Sequence, residues 1–201
     1  MSALEGIRST SEVPAWASPE WMRIAPAVVH REDVRGRDAV PMRLRGRNRS
    51  DRFAAFVTRD RIVHRVTPEA LVQARAWCSA PELPGLPCVR ALACVAPEFD
   101  RPGLTWGITG SVGFALASGV STLREDSDLD VVLCAGHALS RDAARDVLSP
   151  LNAAPAHIDV QADTGHGGFA LAEWARESER IMLKTRRGPL LVADPWTTEA
   201  S

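Results

Sequence analysis

The sequence predicts an α/β protein of the α+β kind: a small mixed sheet flanked by helices in the C-terminal half, preceded by a smaller, strand-containing N-terminal domain. Three observations carry this expectation. From Leu104 onward, short β-branched runs alternate with stretches of helical spacing, the order that lays helices against a sheet. Hydrophobic residues make up 45% and charged residues 24% of the 201 positions, enough to bury a core and unlike a disordered chain. Finally, P-E-L-P-G-L-P at Pro81–Pro87 interrupts any regular element. A boundary is expected there, dividing residues 1–82 from 83–201.

The elements follow in order. The first ten or so residues show no pattern and are expected to fray. Ile24–Val34 and Arg52–Val66 mix β-branched and aromatic residues around a turn-like T-R-D-R, which predicts a hairpin. Thr67 and Pro68 suit the N-cap and first position of a helix, with Ala70, Leu71, Ala74 and Trp77 at helical spacing to about Ser79. A helix is expected over Val89–Pro97, a strand over Leu104–Ile108, then a Gly–Ser turn and a helix ending near Gly119. The strand Leu129–Cys134 comes next, followed by a helix capped by Ser140 and stopped at Pro150. A strand around Ile158–Ala162, the loop T-G-H-G-G, a helix from Phe169 to about Ser178, and a strand pair over Ile181–Val192 turning at Arg187–Pro189 complete the chain.

Charge narrows the function. The net charge of −1 creates no global field to recruit nucleic acid or a membrane. Lys184 is the one lysine, and eleven arginines against five acids give the stretch from Arg31 to Arg65 a local charge of +6. Such a stretch is either a solvated face or a surface that holds phosphates or an acidic partner. Only Phe53 and Phe56 interleave with it, too few aromatics for a base-stacking platform. Cys78, Cys88, Cys94 and Cys134 show no C-x-x-C spacing and sit among apolar neighbours. They read as small buried thiols in a reducing compartment. The opening M-S-A-L-E-G-I-R-S-T-S-E lacks the order of a secretory leader, and no apolar run has the length of a membrane span. A cytoplasmic protein is expected.

The chemistry concentrates between Trp106 and Leu133. Asp128 and Asp130 are two residues apart at the start of an apolar strand, so they share a face while Leu129 and Val131 enter the core. Two neighbouring carboxylates repel unless a cation neutralises them, and oxygen donors without clustered His or Cys favour Mg²⁺ or Mn²⁺. Upstream, Gly110 and Ser111 sit between strand and helix, where free backbone N–H groups and a hydroxyl suit a phosphate. Asp159 on the next expected strand is the candidate third carboxylate, as a metal ligand or as a base, with Asp163 as the alternative. Gly107, Gly110 and Gly113 also give G-x-x-G-x-x-G with an acid about twenty residues on. In a dinucleotide fold that acid follows the apolar run. Here both acids precede V-V-L, which ranks this reading below the metal site.

G-S, then D-L-D, then an acid on a later strand resembles the nucleotidyltransferase superfamily. The longer form, T-G-S-V-G-F-A-L-A-S-G with S-D-L-D, is similar to the malonate decarboxylase holo-acyl-carrier-protein synthases, or phosphoribosyl-dephospho-CoA transferases. Further similar segments are D-V-Q at Asp159–Gln161, G-F-A-L-A-E-W-A-R at Gly168–Arg176, L-K-T at Leu183–Thr185, G-P-L-L at Gly188–Leu191 and D-P-W at Asp194–Trp196. The resemblance implies a nucleotidyltransferase-like C-terminal domain that moves a phosphoribosyl-dephospho-CoA group from triphosphoribosyl-dephospho-CoA to a serine of the acyl-carrier subunit of malonate decarboxylase, with pyrophosphate leaving. It implies that Asp128, Asp130 and Asp159 hold the metal and that Gly110 and Ser111 grip the triphosphate. Arg124, Lys184 and Arg186 are further phosphate contacts by charge and placement. Two other functions remain open: a metal-dependent nucleotidyltransferase with another acceptor, such as protein adenylylation from ATP, and a non-catalytic module that docks a partner through its arginines.

Overall fold

The computed structural model describes residues 7–9, 12–25, 27–29, 38–48, 50–80, 83, 85–100, 104–176 and 178–197. Among them, β1 (Ile7–Arg8), β2 (Val28–Val29), β3 (Ala39–Arg45) and β4 (Arg52–Thr58) form an antiparallel sheet in the order β1-β4-β3-β2. The hairpin is β3–β4, closed by the Gly46 N–H donating to the Asp51 carbonyl at 2.8 Å. This corrects the expected partners. Arg43 and Arg45 alternate with the buried Met42 and Leu44, and their charges hide the strand period from a hydrophobicity reading. The T-R-D-R expected to turn the hairpin instead ends β4 in a 3-10 turn at Arg59–Arg61. Residues 30–34 of the expected first strand lie outside the described residues. The expected fraying also falls largely on undescribed positions.

Side-chain caps set several helix starts. Ser18 Oγ accepts from the Trp21 N–H at 3.2 Å and opens α1 (Pro19–Ile24), a helix too short to show a period in the sequence. Thr67 caps α2 (Pro68–Gln73) as expected. The helix expected to reach Ser79 breaks at Arg75, whose φ of 47° leads into a 3-10 turn over Ala76–Ser79. The break lets the Arg75 guanidinium pair with Asp100 and lie 5.3 Å over the Trp77 ring. The remaining helices are α3 (Pro87–Phe99), α4 (Gly110–Ser118), α5 (Arg141–Leu148) and α6 (Leu171–Ala175). Ser140 caps α5 by accepting from the Ala143 N–H at 3.1 Å.

The larger sheet contains β5 (Thr105–Ile108), β6 (Leu129–Cys134), β7 (Ile158–Asp163), β8 (Gly167–Ala170), β9 (Ile181–Thr185) and β10 (Gly188–Val192), in the order β10-β9-β8-β7-β6-β5. Among the described residues only β6–β7 is a parallel pair in this sheet, so this is not the doubly wound sheet of a dinucleotide fold. β8 occupies the end of the expected T-G-H-G-G loop, and the expected helix from Phe169 shrinks to α6. Phe169 is fully buried, with Trp196 edge-on at 5.2 Å, and that packing draws it into the sheet. One face of the sheet is apolar: Leu129, Val131, Leu133, Val160, Ala162, Phe169, Ile181 and Leu183 are buried together with α3 residues Leu92, Val95 and Phe99. Each of these side chains larger than alanine contributes about 1.5–3 kcal/mol through burial. Leu71, Val72 and Trp77 join the same core. The opposite face carries Asp130, Val132, Asp159, Gln161, Asp163 and Lys184, the alternation expected of strands buried on one side.

All four cysteines are free thiols, but only Cys88 is buried; Cys78 and Cys94 are exposed and Cys134 is half-buried. The expectation that all four are buried fails because Cys94 lies with Arg90, Ala93 and Pro97 on the solvent side of α3, and Cys78 lies on the outside of the 3-10 turn. No helix among the described residues is long and apolar enough to cross a membrane.

Candidate active site

The parallel register of β6 and β7 sets Asp130 directly opposite Asp159, on strands about 4.8 Å apart. Asp128 lies just before β6 and is exposed, Asp130 is half-buried, and Asp159 is exposed. Asp159 Oδ1 lies 3.2 Å from His157 Nε2. The three expected carboxylates therefore share one edge of the polar face. Asp163, two rows further along β7, opposes Cys134 and Gly168 instead.

Gly110 explains how the turn reaches this edge. Its φ is +62°, and a Cβ placed there would fall 1.8 Å from Asp130 Oδ2. Only glycine lets α4 begin against the carboxylate. The Thr109 N–H donates to the Asp130 carbonyl at 2.9 Å, tying the turn to β6, and Ser111 follows in the first turn of α4. The other two glycines have separate steric tasks. A Cβ on Gly107 would meet Pro68 Cβ at 2.4 Å, and one on Gly113 would meet the Ile108 carbonyl at 2.6 Å. The apparent dinucleotide motif is thus one close approach to a carboxylate and two packing positions.

Electrostatics centre on Asp130. Burial raises its pKa above the ordinary carboxylate range, and the nearby Asp159 and Asp128 charges raise it further; Arg45 and Lys184 oppose the shift. A half-buried carboxyl beside two others fits a hard divalent cation with oxygen ligands. No group of three His, Cys, Asp or Glu side chains among the described residues stands at metal-ligand spacing, so the aspartates form an open arrangement rather than a finished cage.

Arg45 was not singled out in the sequence. It reaches the site from the small sheet, where its Nη1 donates to the Gly110 carbonyl at 3.1 Å and its guanidinium lies 5.3 Å over the Phe114 ring. Its own carbonyl accepts from Trp21 Nε1 at 2.8 Å, and Trp21, Ala25 and Phe114 form a cluster between α1 and α4. No local signal separates Arg45 from its neighbouring arginines; the docking of the two sheets singles it out. Among the three cations expected to contact phosphate, Lys184 on β9 acts on Asp130. Arg124 is exposed in the loop before Asp128, its N–H donating to Ser127 Oγ at 2.9 Å. Arg186 is exposed in the β9–β10 turn.

The family model described as the phosphoribosyl-dephospho-CoA transferase MdcG C-terminal domain matches residues 71–195. The chain belongs to this family. Membership makes it a transferase, and the matched span includes every expected site residue from Gly110 to Arg186. Relatives named phosphoribosyl-dephospho-CoA transferase agree over most of the chain. The protein of Pseudomonas syringae pv. tomato is 39% identical over 185 residues, covering 92% of this chain and 85% of its own length. That of Klebsiella pneumoniae strain 342 is 37% identical over 198 residues, with 98% and 92% covered. The Azotobacter vinelandii protein is 36% identical over 200 residues, with 96% and 91% covered. No solved structure matches.

Proposed function

We propose that the chain transfers a phosphoribosyl-dephospho-CoA group from triphosphoribosyl-dephospho-CoA to a serine of the acyl-carrier subunit of malonate decarboxylase. The single observation that carries this reading is the in-register pair Asp130–Asp159 beside a turn that only glycine can form, in a chain of this transferase family. The carrier serine oxygen attacks the α-phosphorus in line. The new serine O–P bond forms as the bond to the β-phosphate breaks, and pyrophosphate leaves.

Asp128, Asp130 and Asp159 would hold Mg²⁺ or Mn²⁺. When bound, the ion neutralises the three carboxylates and the polyphosphate and makes the attacking hydroxyl more acidic. The residues of the chain do the remaining work. Ser111 and the free N–H groups of the first turn of α4 hold phosphate oxygens, with Lys184 supplying positive charge. Asp159 takes the serine proton where it acts as the base instead of a metal ligand. Arg45 holds the Gly110 carbonyl and so keeps the turn against Asp130. The N-terminal arginines suit a polyphosphate donor and an acidic carrier, which predicts docking that weakens with salt.

The test supplies the purified protein with Mg²⁺, the triphosphate donor and apo carrier. A fixed mass increase on the carrier, equal to the phosphoribosyl-dephospho-CoA group, is expected. Carrier that stays unmodified with this donor but gains an adenylyl group from ATP would replace the proposal with protein adenylylation.

A further inference from the structure

Beside the carboxylate row, the polar face of the larger sheet continues into a cleft of about 280 Å³, lined by Val28, Val29, Val132, Gln161, Gly168 and Lys184 among others. The strand registers place it in rows. Asp130 and Asp159 form the first row, and Val132, Gln161 and Ala170 the second. Cys134, Asp163, Gly168 and Lys184 form the third. Each row lies about 6.6 Å beyond the last, two strand residues on. The cleft thus runs roughly 7–13 Å from the carboxylates, in line with them and on the same face.

We infer that this cleft binds the adenine nucleoside portion of the donor, with Gln161 reading the edge of the base; the inference rests on the transfer reaction proposed above. Its chemistry suits that occupant. Val28 and Val29 on β2 are 38% and 61% exposed and line the cleft together with Val132, the apolar lining that a flat aromatic ring requires. The Gln161 amide offers one donor and one acceptor, the pair that matches the N6 and N7 edge of adenine. Its Oε1 lies 3.8 Å from where a Cβ on Gly168 would sit, so the amide leans over the glycine floor. The order along the face, from reacting phosphate to nucleoside, matches the order of groups along the donor.

Gly168 supplies the test. A Cβ there meets only the Ala162 carbonyl at 3.7 Å and Gln161 Oε1 at 3.8 Å, which are ordinary contacts, and its φ lies outside the region that favours glycine. Gly168→Val therefore seats its Cβ in ordinary contact, and its two further methyl groups take up space in the cleft. Titration with dephospho-CoA should show an affinity lower by about tenfold or more than wild type, while binding of inorganic tripolyphosphate with Mg²⁺ stays the same. Gln161→Ala should erase the preference for dephospho-CoA over its guanine counterpart, and it keeps the test open should Gly168→Val not fold. If Gly168→Val is folded and binds dephospho-CoA as wild type does, the cleft assignment is overturned even where wild type modifies the carrier. If wild type neither binds dephospho-CoA nor modifies the carrier, the proposed function fails and the cleft assignment with it.

Discussion

Replacing Gly110 with alanine drives a methyl group into the space that the Asp130 carboxylate occupies. The added Cβ would lie 1.8 Å from Oδ2, 2.6 Å from Cγ and 2.9 Å from Cβ of Asp130, all below any normal contact distance. Two costs arise. Holding a residue with a Cβ in the left-handed region costs about 1–2 kcal/mol. The carboxylate must also rotate or β6 must shift, and a displacement of about 1 Å at a reacting centre costs on the order of 100-fold in rate. The expected outcome is a folded protein with Tm lowered by roughly 2–8 °C and carrier modification slowed on the order of 100-fold. Circular dichroism melts and a time course of the carrier mass shift read the two effects separately. Turnover within a few-fold of wild type would refute the close approach of turn and carboxylate as a requirement of the reaction.

Other substitutions probe the same edge. In the native state, burial and the Asp159 and Asp128 charges raise the Asp130 pKa, so this carboxyl keeps its proton to higher pH folded than unfolded. Metal-free stability should therefore fall as pH climbs from the ordinary carboxylate value through the raised one. Asp130→Asn should abolish this fall, melt above chelated wild type at about pH 7, lose the Tm gain that Mg²⁺ gives wild type, and be inactive. An Asp130→Asn variant that keeps full activity would exclude the metal assignment. Arg45→Ala removes the hydrogen bond to Gly110 and the contact over Phe114, with an expected loss of about 1–2 kcal/mol in urea melts. Ser111→Ala should leave the melting curve unchanged and raise the KM for the donor by roughly three- to tenfold; an unchanged KM would remove Ser111 from the phosphate site.

How much of this was legible in the sequence depended on which force set each element. The bounds of β6 match the expected Leu129–Cys134, because acids on one side and Leu129, Val131 and Leu133 on the other display the strand period openly. The caps at Thr67 and Ser140 were legible because capping is local chemistry. Strand β3 was not, since Arg43 and Arg45 occupy its polar face and its buried side chains are only Met42 and Leu44. Phe169 had helical neighbours but went to the sheet for the sake of its contact with Trp196. At the site, Asp128, Asp130 and Gly110 announced themselves by spacing. The alignment of Asp159 with Asp130 depended on strand register, and the part played by Arg45 depended on two sheets meeting. Neither is encoded in any short window of residues.

The parallel pairing of β6 with β7 carries a consequence for how the chain avoids error. Because side chains alternate, a slip of one residue between these strands would turn Asp159 inward and present Ile158 or Val160 in its place. Asp159 and Asp163, set among Ile158, Val160 and Ala162 on β7, would penalise every such misalignment, at a cost of several kcal/mol for each unpaired charge pushed into the core. The acids that make the native state uncomfortable without a cation therefore also act as proofreaders of its assembly, rejecting the shifted sheets that an all-apolar strand pair would tolerate.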